Sequence, residues 1–232
     1  MSFQFKKFKI NHHPEVFKFG TDAALLATWA NITDTESILE IGAGTGVISL
    51  IMAQRNPTAR ITGIDISKSA IDLANQNLAD FPLPNELNFV HSSIQNFQTE
   101  PSFAHIVSNP PFFEKSTPSP SQLKNMARHT NELSLYDLLL HSKRLLKPKG
   151  TISIIYPVRY LNAILENAEK LALYPIQIVQ TRSTPKKPIK RVLISLGLKE
   201  CETQHSELII NGEKQEYSPT VFEMFKPFYL KL

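Results

Sequence analysis

At 232 residues, 42% hydrophobic and 20% charged, the chain has the length of one domain with an ample core, which excludes gross disorder. Its single cysteine, Cys201, excludes an intrachain disulfide and fits a reducing compartment. No apolar run approaches the roughly 20 residues that span a bilayer, and the N-terminus lacks an apolar signal region. The expectation is a cytoplasmic protein with no membrane partner, a monomer or weak dimer, built as one domain over 1–232. Within it, 1–33 form an N-terminal extension, 34–200 a core and 201–232 a hairpin or tail. The net charge of +4 is compatible with a nucleic-acid partner but alone decides nothing.

Residues 3–10 interleave Phe3, Phe5 and Phe8 with Lys6, Lys7 and Lys9. Rings that stack on bases and ammonium groups that meet phosphates suit an RNA-facing strand. The same alternation suits a strand whose rings pack on the body of the protein. His12 and His13 have no cysteine or carboxylate cluster at ligand spacing, so no metal is expected. Thr21 and Asp22 stand before the helical run 23–30 as N-cap candidates.

The run 38–53, ILEIGAGTGVISLIMA, organises the rest. An apolar strand ends at Glu40-Ile41, Gly42, Gly44 and Gly46 follow, and an apolar-periodic helix begins near Val47. Glycines allow a sharp turn and let a ligand approach the backbone. The helix N-terminus beyond them favours negative charge. The spacing G-x-G-x-G departs from the G-x-G-x-x-G of dinucleotide binders, and with Glu40 in front it points away from NAD. It resembles motif I of class I S-adenosylmethionine-dependent methyltransferases; the bland alternative is a glycine-rich turn that binds nothing.

The next β-rich segment, 59–67, ends at Asp65-Ile66. An acid about 20 residues beyond the glycine turn, at a second strand tip, is placed to accept from both ribose hydroxyls. Asp65 would alternatively cap the helix that starts near Lys68. Residues 68–80 carry Ala70, Ile71, Ala74 and Leu78 at helical spacing, and a third strand over 86–93 ends at Ser92-Ser93. The methyltransferase resemblance adds Ile66 to the cofactor set and puts Ser93 at the adenine edge, where many members carry an aspartate. It also gives Thr21 a second role, holding the methionine end of the cofactor.

A fourth apolar strand runs out at Val107 into Ser108-Asn109-Pro110-Pro111-Phe112-Phe113. The prolines fix a backbone that continues neither as strand nor as helix, which holds the Asn109 amide and the Pro110 carbonyl in place. This resembles motif IV of methyltransferases that act on planar amino groups. Two acceptors, the Asn109 side-chain oxygen and the Pro110 carbonyl, take the two N–H bonds of an exocyclic amine and aim its lone pair at a methyl donor. Phe112 supplies a stacking face, and Pro111 and Phe113 line the substrate side. Residues 114–126 read as a loop over the pocket. Arg128 follows, either a substrate-side cation or a surface charge.

Ser134 caps a helix through 135–148, 150–157 form a fifth strand and 158–172 an amphipathic helix. Segments 174–183 and 190–198 read as strands with no helix between them, an antiparallel final pair. Their connector holds Arg182, Lys186, Lys187, Lys190 and Arg191 without an acid; the last four are phosphate-contact candidates. The expected fold is α/β, a three-layer α/β/α Rossmann-like sandwich on a seven-stranded, mostly parallel sheet with a reversed last strand.

The order KFGTD, ILEIGAGTG, GIDIS, SNPPFF, ARHTNELSL and KRVLISLGL is similar, over nearly the whole chain, to the bacterial tRNA1(Val) adenine-37 N6-methyltransferase family. The resemblance implies S-adenosylmethionine as methyl donor, a tRNA substrate, and an adenine beside the anticodon extruded from its loop stack. A ribosomal RNA guanine-N2 methyltransferase and a protein-glutamine N-methyltransferase share the Asn-Pro-Pro-Phe turn. An RNA-binding module with a vestigial cofactor fold and a NAD-dependent oxidoreductase are the rivals of other classes.

Overall fold

The computed structural model describes residues 2–82, 86–100, 102–111, 133–212 and 216–231. Ten strands and six α-helices are present among the described residues. A short antiparallel hairpin, β1 (Ser2–Gln4) and β2 (Lys9–Asn11), leads into α1 (Thr21–Trp29). Two βα steps and a further strand follow: β3 (Ser37–Ile41) to α2 (Val47–Arg55), β4 (Arg60–Asp65) to α3 (Lys68–Ala79), then β5 (Leu87–His91). Strand β6 (Phe103–Ser108) precedes α4 (Leu135–Leu145), which runs directly into β7 (Leu146–Pro157). A single 3-10 turn (Val158–Tyr160), α5 (Leu161–Lys170), β8 (Tyr174–Arg182), β9 (Ile189–Gly197), β10 (Gln204–Ile209) and α6 (Pro219–Phe225) complete the chain.

The main sheet has the order β10-β8-β9-β7-β6-β3-β4-β5. Only β9 runs against its neighbours; every other pair is parallel. The expected seven strands are therefore there, with the seventh reversed. The tail adds an eighth: β10 lies parallel to β8 at the sheet edge. A bidentate ion pair, Arg182 Nε and Nη2 on Glu207 Oε1 and Oε2 at 2.5 and 2.6 Å, clamps that edge.

All five residues of β3 are buried, the pattern of a central parallel strand covered on both faces. Helices α1 and α2 with the hairpin and α6 pack one face, around Phe5, Leu25, Leu50 and Phe225. Helices α4 and α5 pack the other, around Leu138, Leu139 and Ile164. Helix α4 ends at Leu145, earlier than its sequence suggests, because Leu146 already pairs with Phe103 of β6.

The N-terminal phenylalanines belong to the body. Phe5 and Phe8 are buried, their rings stack with centroids 4.7 Å apart, and Phe3, Phe19 and Tyr229 close around Phe5. Lys6, Lys7 and Lys9 stay exposed on the outer face.

Candidate active site

Sheet register brings the site together. Ile41 pairs with Ile64 of β4 on one side and with Ser108 of β6 on the other. Gly42, Asp65 and Asn109 are therefore the next residues out on three adjacent parallel strands, at the carboxyl edge where such sheets bind ligands. Adjacent strands lie about 5 Å apart, so Asp65 and Asn109 flank the glycine turn at roughly two strand spacings.

The turn itself holds Gly42, Gly44 and Gly46 at φ of 77°, 54° and 79°, a region that side chains avoid. The three glycines do different work. A Cβ at Gly42 or Gly44 would meet no atom within 4 Å, so the turn presents bare backbone to open space. At Gly46 a Cβ would stand 2.7 Å from Phe89 Cζ and 3.3 Å from Ala74 Cβ. Gly46, a cofactor candidate by sequence, is also a site of close packing. Gly63 of β4 is a second, which sequence spacing does not reveal: its Cβ would lie 2.5 Å from the same Phe89 ring.

Glu40, also a cofactor candidate by sequence, is held by Ser49 of α2. Its side chain is 1% exposed. Its Oε2 accepts from the Ser49 backbone N–H at 3.0 Å and from the Ser49 hydroxyl. Gly46, the N-cap of α2, has no side chain to satisfy the first-turn N–H groups; Glu40 does so from the strand behind. Burial, opposed by the Ser49 hydrogen bonds and assisted by the Asp65 charge, pushes the Glu40 carboxyl up to about 8. The signal was Ser49, a lone hydroxyl in an otherwise apolar stretch of α2.

Asp65 ties the turn to the next helix. Its Oδ2 accepts from Gly44 N–H at 2.9 Å and its Oδ1 from Ser67 N–H at 2.8 Å. Ser67, not Asp65, is the N-cap of α3. Ile66 beside it is 44% exposed, and its carbonyl lies 2.9 Å from His91 Nε2. Ser93 opens a turn, its carbonyl accepting from the Asn96 and Phe97 N–H groups and its hydroxyl from Asn96 N–H at 3.3 Å; the hydroxyl proton is still available as a donor. Arg144 of α4 donates to the carbonyls of Ile94 and Phe97 and ties this turn to the helix.

Asn109 follows the buried Ser108, whose hydroxyl donates to Ile41 O at 2.8 Å and locks the ends of β6 and β3 together. Asn109 is half-buried, Pro110 buried and Pro111 exposed. Among the described residues the Asn109 amide makes no hydrogen bond. Phe112, Phe113, Arg128 and the 114–126 loop lie outside the described residues.

At α1 the expected cap does not form. Gly20 is the N-cap, without a side-chain bond, and Thr21 and Asp22 are the first two helical residues. Thr21 is exposed. Asp22 Oδ2 instead accepts from Arg191 Nε at 2.7 Å, both side chains about a quarter exposed (27% and 25%). Arg191, a phosphate-contact candidate by sequence, is thus engaged by an acid from another part of the chain, as Arg182 is by Glu207. Lys186, Lys187 and Lys190 remain exposed on or beside the β8–β9 loop.

Asn77 of α3 escaped sequence reasoning. Fully buried, it accepts from Asn11 N–H at 2.8 Å and donates to Thr45 O at 2.9 Å, which joins hairpin, helix and glycine turn. Among the described residues no cluster of metal-ligating side chains occurs, and no helix is long and apolar enough to cross a membrane.

A parallel sheet with a bare glycine turn after one strand, an acid at the next tip and Asn-Pro-Pro at the tip on the other side defines a class I methyltransferase. A model of the methyltransferase small domain matches residues 7–166. A tRNA1(Val) (adenine(37)-N6)-methyltransferase of Parabacteroides distasonis is 36% identical, over 99% of this chain and 98% of its own. One from Pseudoalteromonas translucida is 35% identical over 99% of each. Among solved structures, a predicted O-methyltransferase of Agrobacterium tumefaciens superposes with a TM-score of 0.68 at 18% identity, over 89% of this chain and 96% of its own. A Pyrococcus furiosus methyltransferase gives 0.60 at 19% identity, over 82% and 88%; these two likenesses concern the fold. The chain belongs to the tRNA1(Val) (adenine(37)-N6)-methyltransferase family.

Proposed function

We propose that this enzyme transfers a methyl group from S-adenosylmethionine to the exocyclic N6 of adenine 37 in tRNA1(Val). The observation that carries the reading is the register of the three strand tips, which sets the Asp65 carboxylate and the Asn109 amide on either side of an open glycine turn.

Asp65 takes the ribose hydroxyls, its carboxylate oriented by the Gly44 and Ser67 N–H groups. Gly42 and Gly44 let the cofactor lie against bare backbone, with Ile66 and the Ser93 hydroxyl at its adenine and Thr21 near its methionine end. Glu40 and Gly46 act from behind, by fixing the start of α2 and the seat of Phe89. S-adenosylmethionine supplies a methyl group already activated by its sulfonium.

The adenine amine is a poor nucleophile because its lone pair is delocalised into the ring. Asn109 Oδ1 and the Pro110 carbonyl each accept one of its N–H bonds, which favours a pyramidal nitrogen and turns the lone pair toward the methyl group. Holding the two reactants in line at roughly 3 Å supplies most of the remaining acceleration. When the N–C bond forms and the C–S bond breaks, the nitrogen becomes cationic and strongly acidic. Its extra proton, held on Asn109 or Pro110, passes to solvent without a dedicated base. Phe112, by its place in the motif, stacks on the extruded base, beside Pro111 and Phe113. Arg128 and the exposed Lys186, Lys187 and Lys190 are proposed to meet RNA phosphates.

The test is methyl transfer to bulk tRNA from cells lacking the enzyme, with nucleosides resolved by mass spectrometry and cofactor binding followed by calorimetry. N6-methyladenosine is the expected product. Binding of S-adenosylmethionine with N2-methylguanosine, methylglutamine or no product on tRNA would overturn the reading.

A further inference from the structure

The 3-10 turn Val158–Tyr160 stands between the amine-binding turn and the basic connector, and neither motif accounts for it. Ser108 pairs with Ile154 in the parallel β6–β7 ladder. Asn109, Pro110 and Pro111 therefore run out past the level of Ile155, Tyr156 and Pro157. On the other side of β7, Pro157 pairs with Arg191 of β9, and the 3-10 turn packs against that strand. The chain leaves β7 at the carboxyl edge, between Asn109 and the connector lysines.

Three residues form a stack there. Tyr156 is buried, and burial, with Tyr160 beside it, keeps its phenol well above the ordinary range and so neutral. Its ring meets Tyr160 edge-on, centroids 6.0 Å apart at 77°, and Tyr160 is half-buried against the core. The exposed Arg159 lays its guanidinium over the Tyr160 ring, 5.1 Å from the centroid. Among the described residues Arg159 has no carboxylate partner, unlike Arg182 and Arg191. A cation held by a ring rather than by an acid keeps its charge and its N–H fork for a ligand.

We propose that Arg159, supported by Tyr160, binds the phosphodiester backbone of the RNA loop next to the methylated adenine. The proposal rests on the functional reading above. A planar guanidinium forks onto phosphate oxygens, and its place beside the Asn-Pro-Pro turn suits the nucleotides flanking a base drawn out of its stack. Tyr160 restricts the side chain beforehand, so less freedom is lost on binding.

Steady-state methylation of full-length tRNA1(Val) transcript at several salt concentrations tests this in wild type, Arg159→Ala, Arg159→Lys and Tyr160→Leu. Arg159→Ala should raise KM for the tRNA about tenfold and reduce the steepness of its log–log salt dependence by roughly one. The affinity for S-adenosylmethionine, read by calorimetry, should not change. Arg159→Lys should recover part of the loss, because the charge returns without the fork, and Tyr160→Leu should show a smaller rise in KM. An unchanged KM and salt slope in Arg159→Ala would overturn the proposal, as would a parallel loss of cofactor affinity, which marks a structural role. A wild-type enzyme that methylates no adenine in tRNA defeats the functional reading itself; an active wild type with an indifferent Arg159→Ala defeats only this one.

Discussion

Glu40 and Asp65 show how two carboxylates at neighbouring strand tips take different parts. Glu40 is buried and, pushed up to about 8, keeps its proton to higher pH than in the unfolded chain, where it titrates near 4.5. Between those values the folded state binds more protons than the unfolded one, so this group makes stability fall as pH rises, by at most about 1.4 kcal/mol per pH unit. Glu40→Gln keeps an acceptor for Ser49 and removes the titration. Its unfolding midpoint in urea should decline less than that of the wild type from pH 5 to 8; identical pH courses would contradict the assigned protonation. Asn109 is proposed to serve the reaction rather than the fold. Asn109→Ala should lower kcat by about 10²–10³, the usual cost of a lost transition-state contact, and leave cofactor affinity as it was. An equal loss in both would place Asn109 in the cofactor pocket instead. Asp65, Gly42 and Asn109 were legible because strand, turn and acid recur at fixed spacing. The inward turn of Glu40 was not, since spacing does not say which side of a strand tip a long side chain takes.

At the scale of elements, the glycine turn is held by parts distant in sequence. Asn77 pins it to the N-terminal hairpin, and Asn77→Ala leaves the Asn11 N–H and Thr45 carbonyl buried without their partner. A destabilisation of about 3 kcal/mol is expected from urea unfolding; a loss under 1 kcal/mol would show that the hairpin is not fastened there. The helical spacing of Ala70, Ile71, Ala74 and Leu78 was readable, but that Asn77 sits on the same inward stripe matters only once β2 is found against it. The basic connector likewise read as one block of charge. Tertiary partners divide it: Glu207 and Asp22 take the two arginines, and the lysines stay exposed. Replacing Lys186, Lys187 and Lys190 together by alanine should weaken tRNA binding and reduce the salt slope by about 2 to 3, measured by filter binding over a salt series. An unchanged slope would put the connector off the RNA path.

Across the whole molecule, the seven strands with the last reversed followed from βα alternation and its break between β8 and β9, whereas the tail's place in the same sheet did not. The tail joins the far edge through parallel pairing with β8 and the Arg182–Glu207 clamp, contacts that no local pattern announces. The N-terminal Phe-Lys alternation fitted an RNA surface and, somewhat better, a packed strand; the aromatic cluster around Phe5 decided for packing. The assembled sheet leaves one edge that carries Asp65, the bare glycines, Asn109, Arg159 and the connector lysines side by side. That edge suits a cofactor and a looped RNA meeting at one amine. The most direct measurement compares methylation of tRNA1(Val) transcripts with adenine and with guanine at position 37. N6-methyladenosine in the first and no methylation in the second is the predicted result. Equal methylation of both, or N2-methylguanosine in the second, would contradict it.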